Sequence, residues 1–224
     1  MADVAATKGV GFVHVRAFVT ERFGAGGWAW TMGHLLGPDR ASIEAVVPMG
    51  WYPLALYARL LRAVDDVHGA GDLALLVPLG RFEADRDLTT LHRMFLRMGD
   101  PCDAMERMGE SWPRFHDSGS WTVERMEDRH VRAELVDWGY VDYALCRELV
   151  GYLARTLELV GADGVRIEHT RCRGLGGGEC TFDARWTGVE VVEVAVPASG
   201  IDSPAGAFAA SVEHLGAVRS RGRR

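Results

Sequence analysis

Residues 165–186 read VRIEHTRCRGLGGGECTFDARW, and this stretch decides how the last part of the chain folds. Val165 to His169 and Thr181 to Trp186 both alternate apolar and polar side chains, which is the period of a half-buried strand. The glycine run between them, at 174–178, lets the chain turn back on itself. We therefore predict an antiparallel hairpin with a glycine-rich loop at its end.

A long helix is predicted directly before this hairpin, over residues 140–161. Its apolar side chains recur with the i, i+3, i+4, i+7 spacing of one helical face. They are Cys146, Leu149, Val150, Leu153, Leu157 and Val160. Gly161 ends the helix. Before it, residues 121–136 alternate as paired strands, with Asp128 and Arg129 at the turn.

The first half of the chain is predicted to be helical. The expected helices cover residues 12–23, 28–36, a segment that begins near Pro53, 71–85, 88–98 and 102–115. Residues 43–49 are expected to form a short strand or turn. Helices first, then a strand pair, a long helix and a second strand pair describe an α+β fold.

Four residues around the hairpin have the side chains of a metal site. Cys146, His169, Cys172 and Cys180 follow the pattern C-x22-H-x2-C-x7-C. Thiolate and imidazole are ligands that tetrahedral zinc prefers, and four of them leave no position for a reacting water. The pattern therefore predicts a structural Zn²⁺ ion. The alternative is a set of buried cysteines beside a hairpin histidine, because the spacing is not one of the standard zinc-finger patterns.

Composition and charge are those of a globular protein with one substantial core. The chain has 224 residues, of which 48% are hydrophobic and 25% charged,. Its net charge of -6 argues against nucleic-acid binding,. No apolar run approaches the roughly 20 residues that span a bilayer, and no signal pattern is present. We expect a cytoplasmic protein without a membrane partner, whose cysteines are thiols or metal ligands.

Methionine and aromatic residues are concentrated between residues 94 and 126. Such surfaces adapt to apolar ligands, so a cavity for an apolar or aromatic small ligand is predicted there. The predicted lining residues are His92, Phe95, Met98, Met108, Trp112, Phe115 and Trp121. The alternative is a plain core with soft packing. No catalytic residue is predicted, because the G-x-S-x-G, H-E-x-x-H and Walker motifs do not occur.

The hairpin motif C-R-x-L-G-G-G-E-C-x-F-x-x-x-W, at 172–186, resembles the V4R (4-vinyl reductase) domain family, especially a paralogous group from myxobacteria. W-Y-P-L at 51–54 and G-x-G-D at 69–72 also resemble that group. The resemblance implies a single V4R-like domain over 11–187. From the residues themselves we expect a flexible leader at 1–10, and an edge strand with a flexible tail at 188–224. It also implies a fold related to the TRAPP transport subunits and the haem nitric-oxide-binding domains.

The resemblance also implies a function. Phenol-responsive activators carry this domain as a sensory module and hold zinc with a cysteine on the long helix, an acidic residue and two cysteines around the hairpin. His169 stands where they have glutamate. We therefore expect a non-enzymatic small-molecule-binding or sensory module with structural zinc, acting through an unknown protein partner. A homodimer is expected through residues 12–36, whose apolar positions form a broad face.

Two alternatives to this function stay open. One is a dimeric scaffold or trafficking-like subunit with no small ligand, and the other is an accessory protein of tetrapyrrole (vinyl) reduction. Haem itself is not expected, because the Y-x-S-x-R signature of the nitric-oxide-binding relatives is missing from the sequence.

Overall fold

The chain folds as a mixed α+β structure with a helical first half, which confirms the predicted class. A computed structural model describes residues 5–88 and 100–189. The helices are α1 (Val10–His34), α2 (Gly37–Glu44), α3 (Leu54–His68), α4 (Leu76–Asp87), α5 (Pro101–Ser111) and α6 (Tyr143–Leu159). The strands are β1 (Ala6–Lys8), β2 (Trp51–Pro53), β3 (Ser120–Glu127), β4 (His130–Val136), β5 (Ala162–Asp163), β6 (Arg166–Arg171), β7 (Cys180–Arg185) and β8 (Gly188–Val189).

The first two predicted helices are joined more closely than expected. Gly24 takes φ 76° and ψ 176° inside α1 and interrupts the helical backbone at a single residue. Glycine adopts this conformation without a steric penalty, so the glycine-rich break produces a kink and not a loop. The strand or turn predicted for 43–49 is wrong at its start, because α2 extends to Glu44.

The apolar face that was expected to form a homodimer is covered within the chain itself. Phe12, Val15, Phe18 and Val19 are buried, and α1 packs against α3. Trp30, at 74% exposed, and Val13 are the large apolar side chains of this helix that stay open to solvent. These four side chains therefore belong to the core of the single chain, while the homodimer built partly from residues 12–36 stays a prediction.

The second half is built on a four-stranded antiparallel sheet in the order β3-β4-β7-β6. The predicted hairpin is formed by β6 and β7, with His169 opposite Phe182. Phe182 also pairs with Ala133 on the neighbouring strand β4. The predicted long helix is α6, which packs on α4, α3 and β6. This helix therefore links the helical half to the sheet.

The backbones of α4 and α6 touch where two glycines meet. A Cβ atom at Gly80 would lie 1.9 Å from the carbonyl oxygen of Glu148, and one at Gly151 would lie 1.9 Å from that of Val77. No side chain fits at either position without moving the helices apart. This approach brings polar side chains of α4 and α6 into mutual contact.

The two ends of the described chain are ordered in small sheets. Residues 6–8, which were expected in a flexible leader, form β1 and pair with β2. The expected edge strand begins as β8, which pairs with β5. Residues beyond 189 and the helix predicted at 88–98 lie outside the described residues, except for Leu88, so the domain bounds stay a prediction. None of the described helices combines the length and apolar character needed to cross a membrane.

Candidate functional site

The four predicted metal ligands meet where the start of α6 passes the hairpin. Cys146 lies in the first turn of α6, His169 in β6, Cys172 directly after β6, and Cys180 at the first position of β7. One donor atom from each residue lies within 4.8 Å of all the others. The three cysteines are buried and His169 is half-buried. We call these four residues the donor cluster.

The sulfur atoms of the donor cluster are close but not bonded. The Sγ of Cys146 lies 3.6 Å from that of Cys180 and 3.9 Å from that of Cys172. A disulfide needs about 2.05 Å, so the cysteines are free thiols,. The hydrogen bond between Cys146 and Cys180, with a smaller contribution from the nearby His169 ring, lowers the pKa of Cys180 to about 4, and the same hydrogen bond raises the pKa of Cys146. Three thiolates together would require a cation between them.

His169 completes the donor cluster with an unsatisfied ring. Both of its ring nitrogens are buried without a hydrogen-bond partner. The ring lies flat against Phe182, with centroids 4.5 Å apart. A buried polar atom without a partner costs about 1–3 kcal/mol, and coordination of a cation would offset that cost.

The glycine loop is folded tightly around Cys172. The amide of Gly177 donates a hydrogen bond to the carbonyl oxygen of Cys172 at 2.7 Å, and a Cβ at Gly177 would lie 2.9 Å from the same oxygen. A Cβ at Gly174 would lie 3.1 Å from the amide nitrogen of Tyr143. The glycine run thus holds Cys172 against the start of α6.

A cavity of about 660 Å³ lies beside this region, bordered by α3, α4, α5, α6 and β3. Of the residues expected to line it, Met108, Trp112, Phe115 and Trp121 border the cavity. His92, Phe95 and Met98 lie outside the described residues. Further apolar wall is supplied by Leu54, Trp138, Leu145 and Leu149.

The cavity wall also carries two acids that the sequence analysis missed, buried Glu83 and half-buried Glu148. Glu83 of α4 and Glu148 of α6 hydrogen-bond to each other, and the Tyr57 hydroxyl donates to Glu83 Oε1 at 2.9 Å. Burial raises the pKa of Glu83 well above its usual range and raises the pKa of Glu148. The pair therefore retains a proton where an exposed glutamate is ionised.

A signal for these acids exists in the sequence. Leu76, Leu79, Gly80 and Glu83 follow the i, i+3, i+4, i+7 spacing of one helical face, so Glu83 stands on an apolar stripe,. Leu145, Glu148, Leu149 and Tyr152 repeat the pattern on α6. A lone acid within an apolar stripe marks a buried carboxyl group.

Among the described residues, His116 is the histidine that borders the cavity. It keeps part of its surface accessible, but the protein atoms packed around it lower its pKa to about 3. Its ring stacks on Trp112 with centroids 3.8 Å apart, and its Nδ1 has no hydrogen-bond partner. His116 is therefore a neutral imidazole at physiological pH.

Comparisons with known proteins give a result for structure alone. No protein-family model and no curated protein sequence matches the chain. An H-NOX protein from S. oneidensis in the Fe(II) ligation state is similar, with a TM-score of 0.65, 14% identity, and coverage of 82% of this chain and 98% of that one. The Fe(II) unliganded H-NOX protein from K. algicida has a TM-score of 0.61 and 14% identity, covering 81% and 97%. A third structure, which concerns heme distortion in the H-NOX family, has a TM-score of 0.58 and 10% identity, covering 81% and 96%.

These similarities correct the family expectation. The assignment to V4R is wrong, because the similar solved structures are H-NOX proteins and nothing supports V4R. The function inferred from V4R is wrong with it, both the small-molecule or sensory module built on structural zinc and the scaffold and vinyl-reduction alternatives. The structural Zn²⁺ expected as cofactor also has no support, because the similar structures are described with Fe(II) and heme. What the comparisons show for this chain is an H-NOX-like fold.

Proposed function

We propose that this chain is a haem-binding sensory domain whose cavity holds the cofactor. The observation that carries the proposal is a neutral histidine, His116, at the wall of a large aromatic cavity inside an H-NOX-like fold. The similar H-NOX proteins are described with Fe(II) and heme, and their fold covers about four fifths of this chain.

The size and walls of the cavity suit a planar macrocycle. Its volume of about 660 Å³ lies within the range of roughly 300–1,000 Å³ typical of ligand sites,. Trp112, Trp121 and Trp138 supply aromatic surface, and leucines from α3 and α6 supply aliphatic surface. Apolar walls of this kind gain free energy when they cover a porphyrin ring.

The donor chemistry also fits haem. A neutral imidazole is the usual protein ligand of haem iron, and His116 is neutral because of its burial,. Arg107 and Arg114 also border the cavity and could pair with the two carboxylates of haem,. They take the place of the absent Y-x-S-x-R signature in this proposal.

The buried acids do not oppose an anionic cofactor. Glu83 and Glu148 have raised pKa values, so the pair carries less negative charge than two exposed glutamates. The Tyr57 hydroxyl donates its hydrogen bond to Glu83. Glu83 and Glu148 therefore present a hydrogen-bonding carboxyl pair to the cavity and not two free anions. Asp87 and Glu110 are further acids at the wall, opposite in charge to Lys8, Arg107 and Arg114.

Bound haem would supply an iron atom that takes small diatomic ligands. The chain's own residues would do the rest: His116 would hold the iron, the tryptophans would exclude water, and the carboxyl pair would keep a proton at the cavity wall. Each role depends on a group that borders the cavity.

Titration of the full chain with hemin tests this proposal. We expect saturable binding of one haem and an axial-histidine absorption spectrum. His116→Gln should weaken binding by at least about tenfold and change the spectrum. The matched control is His34→Gln, which alters an exposed histidine paired with Asp66 and should change neither. Absence of saturable binding to the native chain would overturn the function, and an unchanged His116→Gln spectrum would overturn the ligand assignment.

We also propose that the donor cluster binds a thiophilic transition-metal ion. The support is the convergence of three cysteine sulfurs and one unsatisfied imidazole within 4.8 Å,. Titration of the reduced, metal-free protein with Co²⁺ should give thiolate-to-cobalt charge-transfer absorption. Cys172→Ser should weaken binding, while Cys102→Ser should leave it unchanged because Cys102 lies on α5. Equal binding in both variants would contradict the assignment.

A further inference from the structure

The donor cluster and the cavity share one helix. Cys146 contributes its sulfur to the donor cluster from the first turn of α6. Its neighbours Leu145, Glu148 and Leu149 border the cavity. Because an α-helix turns every 3.6 residues, the same two turns of α6 present one side to the sulfur atoms and another to the cavity. A shift of this helix segment changes both sites together.

A second connection runs through stacked rings. His169 of the donor cluster lies flat on Phe182, with centroids 4.5 Å apart and 8° between the planes. Phe182 is fully buried and contacts Trp121 at 5.7 Å. Trp121 meets Trp112 edge-on at 5.5 Å, and Trp112 stacks on His116 at 3.8 Å. We call this row of five rings the aromatic chain.

We infer that the donor cluster and the cavity are coupled sites, so that a metal ion in the cluster increases the affinity of the cavity for its planar ligand. This inference rests on the proposed function, since it names the regulation of the same cavity. The reason is preorganisation. Coordination would fix the His169 ring, whose nitrogens have no hydrogen-bond partner, and thereby the position of Phe182 and Trp121 against the cavity,.

Thermodynamics makes the coupling testable from both sides. If the metal raises haem affinity by some factor, haem must raise metal affinity by the same factor. We expect a factor of at least about five, the lower end for coupled sites in proteins. A change in one direction without the other would show that the metal acts on protein integrity and not on a shared equilibrium.

The experiment measures hemin affinity in chelator-treated and Co²⁺-loaded full chain, and Co²⁺ affinity with and without hemin. Circular dichroism confirms that the metal-free protein stays folded. In haem-free protein, amide hydrogen exchange of α6 residues 145–152 should slow when Co²⁺ binds. Failure of the native chain to bind hemin or Co²⁺ would refute the proposed function. Binding of both with equal affinities in all states, and unchanged exchange, would refute the coupling alone.

Variants of the aromatic chain give a sharper test. Phe182→Leu keeps an apolar side chain but removes the ring between His169 and Trp121. We expect it to bind each ligand and to lose most of the coupling factor. Phe18→Leu is the matched control, because Phe18 is also buried but meets Phe23 and Phe82 edge-on, outside the aromatic chain. Equal coupling in both variants would exclude the rings as the connection.

Discussion

The donor cluster and the cavity share the first turns of α6, yet their origins in the sequence differ. The cluster is formed by residues close in sequence: His169, Cys172 and Cys180 belong to one hairpin, and Cys146 lies in the first turn of α6. The cavity is bordered by residues from Thr7 to Tyr152. The comparison teaches that a local site is fixed by spacing and turn chemistry, whereas a distributed site depends on how helices cross.

The largest effect should come from removing a donor in the cluster. Cys146→Ser leaves the remaining buried thiols with an unpaired charge, so the metal-loaded protein should lose about 3–5 kcal/mol of unfolding free energy. Cys102→Ser is the control, because Cys102 is equally buried but its pKa is raised to about 11 by burial, so it is a neutral thiol. Urea unfolding with and without chelator measures both. Equal losses in the two variants would show that the cluster holds no ion.

An acid-sensitive contribution to stability is expected from the cavity side. The pKa of His116 is lowered to about 3 by burial, against about 6.5 in the unfolded chain,. Unfolding therefore takes up a proton below pH 6.5. The stability that neutral His116 contributes is present above that pH and is lost toward pH 3, by about 1.4 kcal/mol per pH unit.

His116→Gln should remove this loss. Between pH 6.5 and pH 4.5, the unfolding free energy of the native chain should fall by about 2–3 kcal/mol more than that of the variant. His34→Gln provides the reference for an exposed histidine. A pH dependence shared by all three proteins would mean that His116 is charged in the folded state.

The close packing of α4 on α6 shapes the cavity but not the donor cluster. One added methyl group can disturb this packing. Gly151→Ala places a Cβ 1.9 Å from the Val77 carbonyl oxygen and should destabilise the fold by at least about 1–3 kcal/mol,. Gly26→Ala is the control, because a Cβ there meets nothing within 4 Å and should stabilise α1 by up to about 1 kcal/mol,. Thermal unfolding of both variants measures the difference. A harmless Gly151→Ala would contradict the backbone contact.

The smallest effect concerns the carboxyl pair. The pKa of Glu83 is raised by burial, so the folded state holds a proton that the unfolded chain releases above about pH 4.3,. Stability linked to this proton is complete below that pH and falls as the pH rises toward the folded pKa. Glu83→Gln should therefore be near neutral at pH 4 and more stable than the native chain, by about 1 kcal/mol, at pH 7. Glu124→Gln, on exposed β3, should show no such change, and equal behaviour would place Glu83 in solvent.

Much of the fold follows from periodicity. The strand alternation around His169 and the apolar stripe of α6 are local patterns, so the hairpin, the helix and the α+β class could be predicted. Met108 and Trp112 border the cavity, but composition alone left a plain core as the alternative to a ligand site. The sequence predicted separate helices over 12–23 and 28–36, whereas the structure has one helix that is interrupted only at Gly24, because the extent of the break depends on one backbone conformation that spacing does not reveal.

The missed features depend on contacts between distant segments. Glu83 and Glu148 meet only because Gly80 and Gly151 let α4 and α6 touch, and neither glycine stands in a turn. The wrong family followed from a similar cause. The hairpin motif reports how one loop encloses Cys172, while the H-NOX-like fold is defined by the packing of helices on a sheet along most of the chain.

The contact between α4 and α6 also has a mechanical consequence. Where the backbones of two helices touch, no layer of side chains lies between them to allow sliding. We therefore expect α4 and α6 to move together as one rigid unit. Any change in the volume of the cavity must then come from movement on its other side. There Trp112 and Trp121 meet edge-on, a contact that tolerates small displacements of the rings,. A molecule that enters should thus displace the tryptophan side, toward Phe182 and the sheet, and leave α4 and α6 in register.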